Sequence, residues 1–441
     1  MLTTLRNAFK IPDLRKKLLY TAMMLVVIRF GSLLPIPGVD KGFIQDWFAR
    51  LANTGDAFNF LDALTGGSFT NMSLFALSIT PYITSSIIMQ LLTIAIPKLE
   101  EMQKDGEDGR KKIAEYTRYV TVALALIQSS AMAIGFGRQG LLTTYNFWSV
   151  IVVISAMTAG SALLMWIGER ITQNGIGNGI SIVLLINIIS SLPGDVTTLY
   201  TMFVASASNI GIALVIAIII IAVIIGVVVF VVVLQDGERR IPVQYSKKMQ
   251  GRRMVGGQST HIPLKVNTAG VIPVIFASSI MSFPVVIAQL LGVQATGIGG
   301  HILAVLNSSN WFVPARPVYS IGVVIYVALI VVFAYFYTSI TFNPLEVANN
   351  MKKAGGFIPG IRPGKPTSDY LNQILNYLVF IGAVGLILIC LLPIIVSGLT
   401  GIGHLSFGGT SIIIIVSVTL ETIKAIESQM LVRNYKGFLN D

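Results

Sequence analysis

Charged residues are scarce in this chain of 441 residues, where Asp, Glu, Lys and Arg together make up only 12%. A soluble domain of this size carries about a quarter charged residues. Hydrophobic residues reach 54%, and apolar runs of about 20 residues recur along the whole length. The composition therefore excludes a soluble globular protein and predicts an all-α polytopic membrane protein.

Residues that form disulfides or bind metals are also nearly absent. Cys390 is the only cysteine, so no internal disulfide can form. His261, His301 and His404 are isolated and show no ligand spacing. We therefore expect neither a metal nor another cofactor. The glycine-rich stretch NGIGNG (174–179) lacks the Lys-Ser/Thr of a phosphate-binding loop, and we interpret it as a sharp turn that leads into a membrane span.

Hydropathy predicts ten membrane spans. The first follows a basic stretch but contains Arg29 and ends in LLPIPG, which is typical of a retained span rather than a cleaved signal. Numbered in chain order, the predicted spans are 18–37, 73–96, 118–137, 148–168, 180–193, 210–234, 268–292, 317–340, 371–397 and 409–428.

The basic residues orient these spans. With the N-terminus inside, twenty-six of the 31 Lys and Arg residues fall on the inner side. Only Lys41, Arg50, Arg138 and Arg316 fall outside, and Arg29 lies within span 1. Because basic residues concentrate on the cytoplasmic side, both termini are predicted to be cytoplasmic.

Ten spans divide into two halves of five. Since five is odd, the second half enters the membrane from the opposite side, which is the inverted topology common in transport proteins. The predicted units are a first half (1–193), an external hinge loop (194–209), a second half (210–430) and a cytoplasmic tail (431–441). Pro81 and Pro273 occupy similar places, each near the start of the second span of its half.

Ionisable residues within the spans are almost absent. Coupled transporters place carboxylates or basic groups in mid-membrane, whereas only Arg29 is clearly intramembrane here. We expect it to reach the interface or to bind a neighbouring carbonyl. The residues therefore indicate a passage without an energy source of its own, and they disfavour coupling to protons or sodium. A secondary transporter for a small solute and an insertase-type scaffold remain as alternatives.

Two loops on the inner side have the composition of docking surfaces, although the positive-inside rule alone would explain the sign of their charge. Loop 235–265 carries seven basic residues, mostly as RR, KK and RR pairs, and the alternation in IPVQY predicts a short hairpin. Loop 342–369 is rich in turn signals, with Arg362 near its predicted tip.

Several long motifs resemble one family over essentially the whole chain. They are RFGSLLPIPGVD (29–40), ITPYITSSIIMQLL (79–92), DGRKKIAEYTRY (108–119), GERITQNGIGNGIS (168–181), QGRRMVGGQSTHIPLKVNTAGVIPVIFASSI (250–280), FNPLEVANNMKKAGGFIPGIRPG (342–364) and FGGTSIIIIV (407–416). This set resembles the SecY family, the central subunit of the bacterial protein-conducting channel.

The resemblance implies a channel subunit without enzymatic activity or cofactor in the bacterial cytoplasmic membrane. It would translocate unfolded secretory polypeptides and insert membrane proteins laterally into the lipid. A SecA ATPase or the translating ribosome would drive it. The implied partners are SecE, SecG, SecA, the ribosome, signal peptides, nascent chains and membrane lipids.

The resemblance also implies roles for individual residues around a central pore. A short plug would lie at about 59–71, with Phe60, Leu61 and Leu64 in one or two apolar helical turns and Gly66 and Gly67 in a loose hinge. The pore ring would be Ile79, Ile83, Ile180, Leu184, Ile275 and Ile414. The lateral gate would carry Gln90, Gln128 and Asn267, and partners would dock at Arg252, Arg253 and Arg362. This chain departs from the family pattern at Leu345 and Asn71, neither of which belongs to the pore ring.

Overall fold

The computed structural model of the protein describes residues 6, 8–40, 42–44, 46, 62, 65–204, 210–245, 248–250, 253–255, 259–290, 297–312, 317–400 and 409–437. Phe60, Leu61, Leu64 and Arg252 of the predicted sites lie outside these residues.

A helix occupies each of the ten predicted spans, which confirms the all-α polytopic fold. From here on, each span number denotes the observed helix and not the predicted range. The helices are Pro12–Leu33 (span 1), Thr80–Ala95 (span 2), Glu107–Phe136 (span 3), Phe147–Asn174 (span 4), Gly179–Leu199 (span 5), Ile210–Asp236 (span 6), Ile272–Leu290 (span 7), Ile321–Thr341 (span 8), Lys365–Thr400 (span 9) and Gly409–Gly437 (span 10).

Length and composition alone identify six helices of the described residues as able to cross a membrane. A seventh is reached if span 2 is joined to the helix Pro97–Lys104, which follows it at an angle of 102°. The bend lies at Ile96, whose backbone is extended because the following residue is proline. The total of ten membrane spans therefore stays a prediction.

Span 2 begins later than predicted. Residues 73–79 were expected to be its first turns, but they form successive turns outside the helix. Met72 and Ser78 have positive φ angles of 41° and 50°, which a right-handed helix does not accommodate. The helix starts at Thr80, with Pro81 in its first turn, where the missing N–H has no helical partner to lose.

Span 5 ends later than predicted. Its helix continues through Pro193 to Leu199, and a π-helical turn follows at Tyr200–Val204. The predicted hinge loop 194–209 is therefore helical in the part that the structure describes. Proline removes only one backbone hydrogen bond, and in apolar surroundings a continued helix satisfies the remaining groups best.

The two loops predicted to dock partners are joined by one sheet. Its strands are β1 (Glu238–Tyr245), β4 (Ser259–Lys265) and β5 (Gly356–Phe357), in the order β4-β1-β5, while β2 (Lys248–Gln250) and β3 (Arg253–Val255) form a separate pair.

The strand β1 is the centre of this sheet. It pairs antiparallel with β4, which confirms the hairpin predicted from IPVQY. On its other edge, Gln244 and Tyr245 pair with Phe357 and Gly356. This second pairing, which ties loop 235–265 to loop 342–369, was not predicted.

Helix neighbours repeat between the two halves. Span 1 contacts spans 4 and 5, span 2 contacts span 3, span 3 contacts span 4, and span 4 contacts span 5. The same neighbours recur as span 6 with spans 9 and 10, span 7 with span 8, span 8 with span 9, and span 9 with span 10. Between the halves, span 5 packs on span 10 and span 3 packs on span 7. This repetition is what two related five-helix units produce.

Candidate functional site

An apolar cluster lies where the two halves meet. Its buried and half-buried members come from spans 1, 2, 4, 5, 7 and 10 and from the turns before span 2. All six residues predicted as a pore ring belong to it; we name them the waist: Ile79, Ile83, Ile180, Leu184, Ile275 and Ile414. The structure thus brings together five side chains from spans 2, 5, 7 and 10 with that of Ile79, which directly precedes span 2.

The members of the waist differ in burial. Ile79, Leu184 and Ile414 are buried, whereas Ile83, Ile180 and Ile275 are only half-buried. Ile79 directly precedes span 2, and its carbonyl accepts a hydrogen bond from the backbone N–H of Ile83 (3.1 Å), so the two side chains lie one helical turn apart on one face. The same spacing places Ile180 and Leu184 together in the first turns of span 5.

The start of span 5 is fixed by the NGIGNG turn, as predicted. Gly177 has a φ of +72°, and the Asn178 side chain accepts hydrogen bonds from the N–H groups of Ile180 (3.1 Å) and Ser181 (3.4 Å), which caps the helix. A Cβ on Gly179 would lie 1.9 Å from the carbonyl oxygen of Gly168 in span 4. Only glycine permits this contact, which sets the position of Ile180.

Spans 2 and 7 begin in the same way. Each helix starts one residue before its proline, at Thr80 and Ile272. A serine then bonds the next span: Ser85 lies 2.5 Å from Thr121 of span 3, and Ser278 lies 3.2 Å from the Tyr326 hydroxyl of span 8. Hydroxyl pairs of this kind hold helices together in lipid, so spans 2 and 3 form one unit and spans 7 and 8 another.

The turns at 66–79, which we name the anchored segment, pack on the first half. The backbone N–H of Leu74 donates to Leu34 (2.9 Å). A Cβ on Gly160 of span 4 would lie 1.9 Å from the carbonyl oxygen of Leu74. Phe75 packs on Gly31 of span 1, where a Cβ would lie 2.1 Å from the ring.

Polar contacts with spans 4 and 5 complete this anchoring. The Ser161 hydroxyl donates to the carbonyl of Ser78 (3.1 Å), and the Asn187 amide donates to the Ser78 hydroxyl (3.0 Å). Sequence reasoning missed Ser78, Ser161 and Asn187. The available signal was their polarity, since buried polar groups in a membrane protein require partners.

The glycines of the predicted plug lie at the start of this segment. Gly66 and Gly67 have φ angles of +66° and +78°. Asp62 and Thr65 are helical and residues 66–71 form turns, so the glycines lie in turns, as the predicted hinge requires. Asp62 accepts a hydrogen bond from the backbone N–H of Thr70 (3.0 Å). Burial raises the pKa of the Asp62 carboxyl, and the hydrogen bonds from Thr70 and Thr65 oppose that rise.

Arg29 makes a contact with this segment. Its guanidinium donates to the carbonyl oxygen of Gly66 over 3.4 Å. This agrees with one of the two expectations for Arg29, namely that it binds a neighbouring carbonyl.

The predicted gate amides do not pair in this structure. Asn267 is buried, and its amide donates to the carbonyl of Gly270 in its own loop (3.0 Å). Gln90 is exposed and Gln128 is half-buried. Among the described residues no hydrogen bond joins these three side chains, so the contact between spans 3 and 7 depends on other groups.

The predicted docking residues lie on the loops that the sheet connects. Arg362 is exposed, and its carbonyl accepts a hydrogen bond from Thr367 (2.9 Å). Arg253 begins β3. Beneath the sheet an apolar core is shared by both loops and span 9, and it includes Ile241, Leu264, Met351 and Leu371. The structure therefore makes the two loops one folded unit.

Comparison with known proteins identifies relatives over the full length. A family model described as SecY matches residues 73–423. The protein translocase subunit SecY of Streptomyces scabiei is 44% identical over 451 residues, covering 100% of both chains. The corresponding subunit of Halalkalibacterium halodurans is 42% identical over 446 residues, also covering 100% of both.

Solved structures share the fold. A protein-conducting channel covers 94% of this chain and 92% of its own, with a TM-score of 0.62 and 19% identity. Sec61 in the canine ribosome–channel complex from the endoplasmic reticulum has the same coverage, with a TM-score of 0.60 and 18% identity. A SecY structure whose plug domain is described as stabilising the closed state and maintaining a membrane seal has a TM-score of 0.65, 19% identity and the same coverage.

A polytopic helical fold whose two sets of spans meet at an apolar waist defines a membrane protein of the channel class. The family model matches more than half of the chain, and full-length relatives are 42–44% identical. The chain belongs to the SecY family. It is a multi-pass protein translocase subunit, and its function is that of a protein-conducting channel.

Proposed function

We propose that unfolded polypeptides cross the bacterial cytoplasmic membrane through the waist of this subunit, and that hydrophobic segments leave it sideways into lipid. The observation that carries this proposal is the meeting of six aliphatic side chains in one cluster, five from spans 2, 5, 7 and 10 and one from the residue before span 2. Three of the six are half-buried rather than fully packed, as expected of side chains that border a passage.

An apolar waist suits a cargo that contains every kind of side chain. Specific polar contacts would retain some segments of a passing chain, whereas aliphatic side chains bind none of them strongly. An apolar constriction without a cargo chain also excludes ions, because water leaves it readily. The waist therefore seals the membrane and conducts polypeptides without a chemical step of its own.

Residues 59–71 are proposed to act as a plug over this waist. The anchored segment shares residues 66–71 with the proposed plug and packs against spans 1, 4 and 5, which supports a closed state in which the plug stays near the waist. The lateral gate is proposed to open between spans 2 and 3 on one side and spans 7 and 8 on the other. The contact of span 3 with span 7 is then the closed gate, and Gln90, Gln128 and Asn267 stay candidates for its polar latch.

The energy for transport is proposed to come from partners. The chain would assemble with SecE and SecG and receive SecA or the ribosome on the face of loops 235–265 and 342–369. Arg252, Arg253 and Arg362 are the proposed contacts, because clustered basic residues bind acidic protein or nucleic-acid surfaces. Both termini are proposed to lie in the cytoplasm, on the side where most of the basic residues fall.

Crosslinking of a stalled preprotein tests the proposal. In a Cys390→Ala background, a cysteine at Ile275 should crosslink to a secretory protein arrested midway in vesicles supplied with SecA and ATP. The matched control is Val223→Cys on span 6, an exposed apolar side chain outside the waist, which should not crosslink. If position 275 never contacts the arrested chain while the protein still crosses, the waist is not the passage.

A further inference from the structure

Ser78 has an unusual backbone conformation directly before a member of the waist. Its φ angle is +50°, in the left-handed region that residues with a Cβ seldom adopt. The next residue is Ile79, which is fully buried in the cluster. A strained residue persists only where its surroundings hold it, so the contacts of Ser78 determine where Ile79 lies.

Each polar group of Ser78 has a hydrogen-bond partner. Its backbone N–H donates to the carbonyl of Phe75 (2.8 Å). Its carbonyl accepts from the Ser161 hydroxyl of span 4 (3.1 Å), and its hydroxyl accepts from the Asn187 amide of span 5 (3.0 Å). The three residues Ser78, Ser161 and Asn187 are at most 2% exposed. Water therefore cannot replace either bond, and both hold the left-handed backbone in place.

The position of Asn187 on span 5 connects this network to the waist. Asn187 follows Leu184 by three residues, and Leu184 follows Ile180 by four. Residues with this spacing form one stripe along a helix. The stripe that supplies two members of the waist therefore also supplies the amide that holds the residue before a third member, Ile79.

We infer that Asn187 is a positioning residue of the waist, which acts through the Ser78 hydroxyl to fix Ile79 against spans 4 and 5. The inference rests on the proposed function of the waist as the passage. Ile79 also begins span 2, because its carbonyl accepts from the backbone N–H of Ile83 (3.1 Å). The four waist residues of the first half are thereby linked to one another, and they keep their arrangement when the two halves separate.

An amide suits this role better than an apolar side chain of similar size. Val183 and Ile188, which are close to Asn187 in sequence, belong to the apolar cluster of the waist. A buried amide costs free energy unless it is hydrogen-bonded, and a leucine would avoid that cost. A hydrogen bond, however, fixes the direction of a contact, whereas apolar contacts are non-directional. The amide at position 187 is therefore explained by where it holds Ser78.

The reactivity of a cysteine at position 79 tests this role. In a Cys390→Ala background, Ile79→Cys should react slowly with a small membrane-permeant thiol reagent in the reconstituted translocase complex, because position 79 is buried. Loss of one hydrogen bond between membrane helices shifts an equilibrium by about three- to fifteenfold. Adding Asn187→Leu should accelerate the reaction by about that factor. Ser78→Gly, which removes the acceptor, should act similarly, and the double variant should react no faster than the faster single variant.

Two controls separate positioning from general damage to the fold. Ser191→Ala alters the same stripe of span 5, at a hydroxyl that donates to Ile188 of its own helix (2.8 Å). It should leave the reaction at position 79 unchanged. Ile413→Cys is next to the waist member Ile414 and is fully buried. It should react slowly both with and without Asn187→Leu.

Three results would overturn the inference. The first is an unchanged rate at position 79 when Asn187→Leu is added. The second is an equal acceleration at positions 79 and 413, since a loosened fold would then explain both. The third is a double variant faster than either single one, because the two changes would then break different interactions. The crosslink at Ile275 tests the waist itself, so any of these results obtained while that crosslink forms leaves the proposed passage standing.

Discussion

Ile83 and Ile275 are the members of the waist at which the effect of side-chain polarity on the seal is easiest to distinguish from the effect of lost core packing. Both are half-buried, so replacement by the smaller, polar asparagine disturbs the surrounding core less than it would at a fully buried position. An amide holds water where an isoleucine expels it. We expect Ile83→Asn and Ile275→Asn to increase ion leak and to let preproteins with weakly hydrophobic signals pass. Conductance in bilayers and secretion of a signal-defective reporter measure the two effects.

The apolar variants Ile83→Leu and Ile275→Leu are the controls for this prediction. They keep the waist dry and should behave like the unmodified channel. An asparagine variant that keeps both the seal and the signal requirement would contradict the assignment of these residues to the passage.

Asp62 predicts a pH dependence of the closed state. Its side chain is half-buried in this structure, and burial raises the pKa of its carboxyl. Above the raised pKa, the closed position of the plug requires a partly desolvated, charged carboxylate, which costs free energy. As the pH falls through this pKa, protonation neutralises the carboxyl and removes the cost. Acidification should therefore favour the closed state and lower the resting conductance.

Asp62→Asn tests the sign of this effect. Asparagine keeps an oxygen that accepts from the Thr70 N–H but has no charge, so the variant should be tighter at neutral pH and lose its pH dependence. The control is Asp40→Asn, an exposed carboxylate on the predicted outer side, which should leave both properties unchanged. If Asp62→Asn conducts more than the unmodified channel, the carboxylate stabilises the docked state instead.

At the scale of single residues, the sequence predicted the members of the waist but not the hydrogen bonds of Ser78 with Ser161 and Asn187. The six waist residues come from motifs that resemble a known family, and the structure collects them in one cluster. Ser78 and Asn187 are 109 residues apart, and nothing in either local pattern indicates the other. Partners of this kind depend on how spans 2, 4 and 5 pack, which hydropathy does not report.

Among the elements, the strand β1 links two loops that the sequence presents as independent. Gln244 lies opposite Ser259 of β4 and Phe357 of β5, so it occupies the point where three strands meet. Gln244→Pro removes a backbone donor from a central strand and should separate loop 342–369 from loop 235–265. We expect faster proteolysis of loop 342–369 and weaker transport driven by SecA or the ribosome, with an unchanged resting seal.

Gln244→Thr is the matched control for this change. Threonine keeps the N–H and favours strands, so proteolysis and transport should stay normal. If Gln244→Pro weakens neither, the two loops act separately on their partners despite the sheet. If it also breaks the seal, the sheet supports the spans rather than docking.

Element boundaries show what hydropathy resolves and what it does not. It located all ten helices, because each contains a long apolar run. It placed the start of span 2 seven residues early, at 73 rather than Thr80, because the turns at 73–79 are as apolar as a helix. It ended span 5 at Pro193, although the helix continues to Leu199. Proline usually predicts the end of a helix, but in apolar surroundings a continued helix satisfies the backbone hydrogen bonds best.

On the scale of the whole molecule, the repeated set of helix neighbours explains how a passage can open without unfolding either half. Spans 2 and 3 are joined by Ser85 and Thr121, and spans 7 and 8 by Ser278 and Tyr326. Separation at the contact of span 3 with span 7 would leave both pairs intact. The halves can then move as units, which is the motion that inverted-repeat proteins use.

Accessibility of single cysteines tests the orientation and the number of spans together. Cys390 is the only cysteine and is buried, so Cys390→Ala gives a clean background. Tyr145, Thr260 and Leu345 are exposed and lie after spans 3, 6 and 8. Three spans separate the first two positions and two spans separate the last two. Tyr145→Cys should therefore react with an impermeant maleimide in intact cells, whereas Thr260→Cys and Leu345→Cys should react only after permeabilisation.

Each different labelling result would contradict a different part of the prediction, because every membrane span moves the chain to the opposite side of the membrane. Labelling of Thr260→Cys and Leu345→Cys alone in intact cells would reverse the whole orientation and contradict the distribution of basic residues. Labelling of Tyr145→Cys and Thr260→Cys on the same side would remove one of spans 4 to 6, and span 5 is the shortest predicted. Opposite sides for Thr260→Cys and Leu345→Cys would divide the two loops that β1 and β5 pair directly. Strands joined by backbone hydrogen bonds cannot lie across a bilayer from each other, so the sheet itself requires an even number of spans between these positions.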